Sequence, residues 1–110
     1  MEEKYMKLLN IDHVPGKEIE ALDIVKGTVV HTKNVGRDLM AAMKTLVGGE
    51  LVGYTQMLNE ARQIAVKRMV DEAEALGADA IVNVRYGTSS VMSGAAEVIA
   101  YGTAVKYVVK

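Results

Sequence analysis

A glycine pair between two arginines is the pattern in this sequence that most resembles a ligand site. Gly48 and Gly49 lie between Arg37 and Arg62 along the chain. Guanidinium groups bind anions, and backbone N–H groups exposed at a glycine pair add hydrogen bonds to the same ligand. The pattern predicts a small-anion site at a subunit boundary. The competing interpretation is a turn between two helices, because glycine pairs commonly serve that purpose and no P-loop lysine and Ser/Thr follow.

Asp38 and Tyr54 border the same pattern and complete the candidate site. An aspartate in the first turn of a helix stabilises the positive end of the helix dipole by about 0.3–1 kcal/mol, so capping alone accounts for Asp38. The ring of Tyr54 is expected to pack under the Gly-Gly loop, with its hydroxyl bonded to backbone. The candidate ligand-binding residues are therefore Arg37, Asp38, Gly48, Gly49, Tyr54 and Arg62.

Metal ligands are scarce in the sequence. It has no cysteine, and its two histidines, His13 and His31, stand eighteen positions apart without the paired spacing of zinc sites. The soft ligands that copper, zinc or cadmium select are therefore missing from one chain. No cofactor and no metal ligand is predicted within the chain. A ring of identical subunits could still bring copies of one histidine together, so a metal ion between subunits stays an alternative.

The sequence contains no catalytic constellation within one chain. Ser89, Ser90 and Ser93 have no neighbouring histidine or lysine in a nucleophile motif. Acidic residues of the long predicted helix alternate with basic ones, which is typical of a solvated face. The acidic ones are Glu60, Asp71, Glu72 and Glu74. We expect no enzymatic activity, although side chains that converge between subunits would escape this reasoning.

Composition narrows the classes of protein further. The chain has 110 residues, enough for one domain over residues 1–110, and half of them are hydrophobic, which predicts a folded protein. The net charge of -1 leaves no positive excess for binding nucleic acid. The first residues lack the pattern of a signal peptide, and no apolar run reaches the roughly 20 residues of a membrane span. A cytoplasmic location is the simplest expectation.

The first half of the chain predicts a turn, a strand and a helix. Pro15-Gly16 predicts a tight turn between two extended pieces. Residues 17–32 are rich in β-branched side chains and predict a long strand, in which Gly27 indicates either a bulge or a close backbone approach. Residues 35–47 carry apolar residues at helical spacing and predict a first helix.

A second, longer helix is predicted over residues 54–76. Its apolar positions form one stripe: Leu58, Ala61, Ala65, Met69, Ala73 and Leu76. The opposite face offers two i,i+4 ion pairs, Lys67 with Asp71 and Arg68 with Glu72. Gly77 then predicts a left-handed C-cap.

The remaining residues predict strands over 80–86 and 97–109, with residues 87–90 as a connection or a distorted strand end. Hairpin-like links at both ends of the chain favour an antiparallel sheet covered on one face by the long helix, an α+β two-layer sandwich. The last strand is apolar on both faces for much of its length, and one helix cannot cover both. Bare apolar strands are normally covered by another subunit, so self-association into a homo-oligomer is predicted.

Several short motifs occur together in an order that matches a known family. They are Val47-Gly48-Gly49 followed by Tyr54, then Ala61-Arg62, Leu76-Gly77-Ala78-Asp79-Ala80-Ile81, and Gly102-Thr103-Ala104-Val105, preceded by Leu22-Asp23-Ile24-Val25 with Gly27 and by Arg37-Asp38. The sequence thereby resembles, over nearly its whole length, the YbjQ family of small bacterial and archaeal proteins that carry a heavy-metal-binding label.

The resemblance implies a fold and an assembly. It implies an antiparallel sheet with a helix packed on it, similar to the dodecin subunit, and a homopentamer in which short extra strands tie neighbouring subunits together. It also implies metal-ion or small-anion binding as an alternative function at sites between subunits. The absence of cysteine is a departure that concerns the metal label.

Overall fold

A four-stranded sheet with one long helix on it makes up most of the computed structural model, which describes residues 5–31, 46–47, 50–92 and 95–109. In chain order the elements are β1 (Lys7–Leu8), β2 (Ile19–His31), β3 (Leu46–Val47), β4 (Glu50–Leu51), α1 (Val52–Ala75), β5 (Ala80–Met92) and β6 (Ala95–Tyr107). The strand order of the sheet is β1-β5-β6-β2, and β3 pairs with β4 separately. The predicted α+β class is confirmed.

The sheet is mixed, whereas the sequence predicts an antiparallel one. β6 lies antiparallel between β5 and β2, but β1 runs parallel to β5 along its outer edge. The predicted turn is present, because the Lys17 N–H donates to the Val14 carbonyl at 3.0 Å and Gly16 has a φ of 77°. The extended pieces on its two sides nevertheless lie at opposite edges of the sheet. The predicted N-terminal hairpin is therefore wrong, because β6 and β5 stand between its two strands.

Helix α1 lies close to its predicted bounds. Four positions of the predicted stripe are fully buried against the sheet: Ala61, Ala65, Met69 and Ala73. Leu76 follows the helix end and stays 44% exposed, so its place in the stripe is wrong. Gly77 has a φ of 77° and donates its N–H to the Glu74 carbonyl at 3.0 Å, which confirms the left-handed C-cap.

Strand β2 and helix α1 approach each other at backbone distance where Gly27 lies. A Cβ atom at this position would lie 2.5 Å from the Met69 backbone nitrogen and 2.8 Å from the Arg68 Cβ, and would overlap the Ala65 carbonyl oxygen. Only glycine leaves room for the helix here. The predicted close approach is confirmed, and the irregularity in the β2–β6 register lies nearer the start of β2.

Two sequence-based boundaries are wrong. Residues 87–90, predicted as a connection, continue β5 as far as Met92, because β6 supplies cross-strand partners along that length. The helix predicted over 35–47 conflicts with β3, whose Leu46–Val47 pair with Glu50–Leu51 of β4. Residues 35–45 lie outside the described residues.

Buried residues form a core on each face of the sheet. The larger core lies between the sheet and α1 and includes Val25, Met69, Ile81, Val98 and Ala100. On the opposite face, the N-terminal segment covers one end of the sheet, and its buried residues are Val14, Ala80, Val82 and Val105.

The rest of that second face carries no covering element among the described residues. We call it the open face, and by strand register it comprises Ile24, Val30, Arg85, Ile99 and Tyr101. The expectation that β6 is apolar on both sides is thus met, with one side under α1 and part of the other exposed.

Candidate functional site

Only part of the predicted anion site falls within the described residues. Arg37, Asp38, Gly48 and Gly49 lie outside them. Tyr54 belongs to α1, and its side chain is also outside the described part. Arg62 is described: it is exposed and donates from Nη2 to Asn59 Oδ1 at 2.8 Å, one turn back on the same helix. The convergence of these residues on one anion stays a prediction.

The two histidines occupy different places. His13 lies next to the N-terminal turn, where its Nδ1 is 3.0 Å from Oδ1 of Asp12, and both side chains are exposed. His31 is the last residue of β2. Among the described residues no group of three or more His, Cys, Asp or Glu side chains could hold a metal ion. Any metal site that uses these residues would need ligands from beyond this part of the chain or from another subunit.

The contact between His13 and Asp12 gives a titration that can be measured. The hydrogen bond from the His13 ring, followed by the charge of that ring, lowers the pKa of Asp12 below its ordinary value. In His13→Ala we expect the pKa of Asp12 to rise, as seen in an NMR pH titration of its carboxyl group. Lys17→Ala removes a cation that lies 5.3 Å from the Tyr107 ring centroid and should leave the Asp12 pKa unchanged. An unchanged Asp12 pKa in His13→Ala would contradict the contact.

The charged face of α1 divides into two pairs with different roles. Lys67 Nζ and Asp71 Oδ2 lie 3.0 Å apart, which confirms the first predicted i,i+4 ion pair. The second prediction is wrong, because Arg68 and Glu72 bond to the backbone of β2. Arg68 Nη1 donates to the Thr28 carbonyl at 2.5 Å, and Glu72 Oε1 accepts the Lys26 N–H at 3.3 Å. The two pairs differ because consecutive helix positions point about 100° apart, which turns the second pair towards the edge of the sheet.

A groove that sequence reasoning missed lies where β1 ends beside β5. Its volume is about 590 Å³, and its lining residues are Leu8, Leu9, Asn10, Val84, Arg85 and Tyr86. Arg85 Nη1 donates to the Asn10 carbonyl at 2.8 Å and to the Val84 carbonyl at 3.1 Å. The groove exists because β1 stops pairing with β5 long before β5 ends. No sequence motif marks it, since it depends on a contact between segments that lie far apart along the chain.

Comparison with known proteins shows which family this chain belongs to. The YbjQ family model, whose description reads "Putative heavy-metal-binding", matches residues 6–108. The chain belongs to the YbjQ family. A UPF0145 protein of Clostridium novyi is 60% identical over 101 residues, which cover 92% of this chain and 98% of that protein. A UPF0145 protein of Alkaliphilus metalliredigens is 57% identical over 103 residues, covering 94% and 100%.

A solved structure supports the fold. The crystal structure of a protein of unknown function from Pediococcus pentosaceus, assigned to the DUF74 family, superposes with a TM-score of 0.66. The alignment covers 94% of this YbjQ-family chain and 98% of that chain at 17% sequence identity. At that identity the likeness concerns the fold alone. In the described part of the chain, α1 is too polar to cross a membrane.

Proposed function

We propose that the chain is a non-enzymatic subunit of a cytoplasmic homo-oligomer, with five subunits in a ring. The observation that carries the proposal is the open face. Ile24 is 70% exposed and Tyr101 41%, although both lie in the middle of long strands, and Val30 near the end of β2 is 51% exposed. Single exposed apolar residues are ordinary, whereas a group of them on one sheet face is typical of a contact surface.

The shape of the chain supports the same proposal. Its Cα radius of gyration is 17.1 Å, and its principal extents are 57 × 29 × 28 Å. A compact domain of this length has a radius near 13 Å according to the usual scaling, so the long strands reach beyond a closed globule. Packing between copies would bury the surface that this extension leaves in water. The number five rests on the family resemblance, and a ring requires two different surfaces on each subunit.

A second candidate function is the binding of a metal ion or a small anion between subunits. The family description names heavy metals, and the described residues of one chain hold no metal cluster. We place such a metal site between copies, with His13 or His31 repeated around the ring. An anion site would use Arg62 with Arg37, Asp38, Gly48, Gly49 and Tyr54 at the same boundary.

Native mass spectrometry of untagged protein at low micromolar concentration tests both candidates. We expect a five-subunit ion, and a bare monomer would overturn the assembly. An ion without added mass after dialysis supports the structural oligomer, while an excess mass that matches a metal or a small anion supports the binding function.

A charge on the open face provides a matched test of the contact surface. Tyr101 has Lys26 and Arg85 as its cross-strand neighbours, so a glutamate there lies between two cations and should be tolerated by the folded subunit. Tyr101→Glu should shift the main ion to smaller species, because a buried carboxylate is costly at an interface. Gln63→Glu adds the same charge to an exposed position of α1 and should leave the assembly intact. Retention of the full oligomer by Tyr101→Glu would rule out the open face as the contact surface.

A further inference from the structure

The outer edge of β2 is one of the two long edges of the sheet. β2 pairs with β6 on one side, and no strand pairs with its other side among the described residues. Backbone groups of an antiparallel strand point alternately towards and away from the neighbour. The bonds at Lys26 and Thr28 identify the outward set as Ile24, Lys26, Thr28 and Val30. An edge of this length is a template for pairing with another strand.

Side chains occupy this edge at consecutive outward positions. Asp23 Oδ1 accepts the Ile24 N–H at 2.8 Å, Glu72 Oε1 accepts the Lys26 N–H at 3.3 Å, and Arg68 Nη1 donates to the Thr28 carbonyl at 2.5 Å. The last two come from α1. They take hydrogen-bonding positions that an added strand would need.

The spacing of helix and strand explains how two helical side chains can do this. Residues four apart on a helix are separated by about 6 Å along its axis, and residues two apart on a strand by about 6.6 Å. Arg68 and Glu72 therefore match alternate residues of β2, in the antiparallel direction. Gly27, between Lys26 and Thr28, lets the helix come close enough for both side chains to reach the edge.

The covered edge is complementary to itself. If two copies of β2 pair antiparallel about Gly27, Ile24 of one copy lies opposite Val30 of the other, and Lys26 lies opposite Thr28. Ile24 and Val30 are β-branched and exposed, and such pairs stabilise neighbouring strands. The two lysines do not face each other directly in this register.

We propose that the outer edge of β2 is a strand-pairing surface for a second copy of this chain, and that Arg68 and Glu72 keep it closed. While these two side chains of α1 occupy the β2 edge, subunits can associate only through other surfaces. The proposal does not depend on the ring, since it concerns an association that the wild-type chain withholds.

The test compares two double variants of the full chain by light scattering after size exclusion. Arg68→Ala/Glu72→Ala opens the edge, and we expect its weight-average mass to be at least twice that of the wild type, because every subunit then presents one self-complementary edge. Lys67→Ala/Asp71→Ala removes the same charges from the adjacent ion pair and should keep the wild-type mass. Both masses are read relative to the wild type, whatever its own assembly.

A third variant locates the new contact. Val30→Lys places a charge opposite Ile24, and because Val30 also belongs to the open face its own effect is measured separately. The mass of Val30→Lys should be the same with and without the Arg68→Ala/Glu72→Ala pair. Extra association that survives Val30→Lys would overturn the assignment of the new contact to β2. A folded Arg68→Ala/Glu72→Ala variant with the wild-type mass would overturn the claim that Arg68 and Glu72 prevent pairing of this edge.

Amide hydrogen exchange keeps the proposal testable if the double variant fails to fold. Glu72→Ala should accelerate exchange of the Lys26 amide severalfold, whereas Asp71→Ala should not. Equal exchange in the two single variants would show that Glu72 does not close the edge.

Discussion

Gly27→Ala is expected to lower the free energy of unfolding by about 3 kcal/mol or more, the upper end of the range for overpacked sites. The added methyl group would lie 2.5 Å from the Met69 backbone nitrogen and would also overlap the Ala65 carbonyl oxygen. Backbone atoms of a helix cannot move aside alone, so α1 as a whole must shift from the sheet. Domains are stable by roughly 5–15 kcal/mol, which makes this a large loss. Urea denaturation followed by circular dichroism, at one protein concentration, measures it.

Gly87→Ala is the matched control for this substitution. Gly87 also lies within a long strand, but a methyl group there would meet only the Ile99 Cγ2 atom at 3.1 Å. A side-chain methyl can rotate away, and replacing glycine also reduces the entropy of the unfolded chain. We expect a change of less than about 1 kcal/mol in either direction. Similar losses in the two variants would show that α1 does not approach β2 at backbone distance.

Met69→Ala is expected to cost about 2–5 kcal/mol, as large-to-small core substitutions do. Met69 is fully buried, and the other fully buried positions in residues 58–75 of α1 are alanines, namely Ala61, Ala65 and Ala73. Alanine side chains cannot extend into the space that the methionine leaves. The same denaturation measurement, with a thermal scan beside it, gives the loss.

Ile64→Ala controls for the loss of apolar side chain from the same helix. Ile64 is 44% exposed, so truncation there removes less buried surface and leaves no closed cavity. We expect a loss below about 1 kcal/mol, since alanine also favours the helix slightly. A Met69→Ala variant as stable as Ile64→Ala would contradict the packing of α1 on the sheet.

Local patterns predicted the elements that depend on local chemistry. The 3.6-residue stripe located α1 to within two residues at its start, and Gly77 marked its end, because both signals lie within the helix itself. Gly27 was identified as an unusual strand residue for the same reason. The strand that contains it was predicted to within two residues at its start and one at its end.

The same patterns could not predict which strands pair with each other or which groups a charged side chain bonds to. β1 pairs with β5 from the far end of the chain, and nothing near Lys7 specifies Ala80 as its neighbour. Arg68 and Glu72 have the same spacing as Lys67 and Asp71, yet only the second pair bonds internally. The two pairs differ in what their side chains face: Arg68 and Glu72 face the edge of β2, and Lys67 and Asp71 do not. Predicting this requires the position of β2 relative to α1.

In the candidate site, too, the residue types could be interpreted from the sequence, whereas the contacts between distant residues could not. The types of Arg62 and of the glycine pair indicated anion chemistry, but the proposed convergence of residues from different subunits would depend on an assembly and would leave no local pattern in the sequence. Arg85 and its groove were missed for a related reason. The groove is lined by residues of the N-terminal segment and of β5, far apart along the chain and brought together by the parallel pairing of β1 with β5.

The strand order has a consequence for how the protein is made. β6 is the last element of the chain, yet it occupies the centre of the sheet between β5 and β2. While the chain is being synthesised, β2 leaves the ribosome well before β6 exists, which is its strand neighbour in the described part of the chain, and domains fold from the N-terminal side as they emerge. Helix α1 emerges earlier than β6 and, among the described elements, packs on the other side of β2. Of the described elements, it is therefore the helix that shields β2 from other nascent copies until β6 has been made.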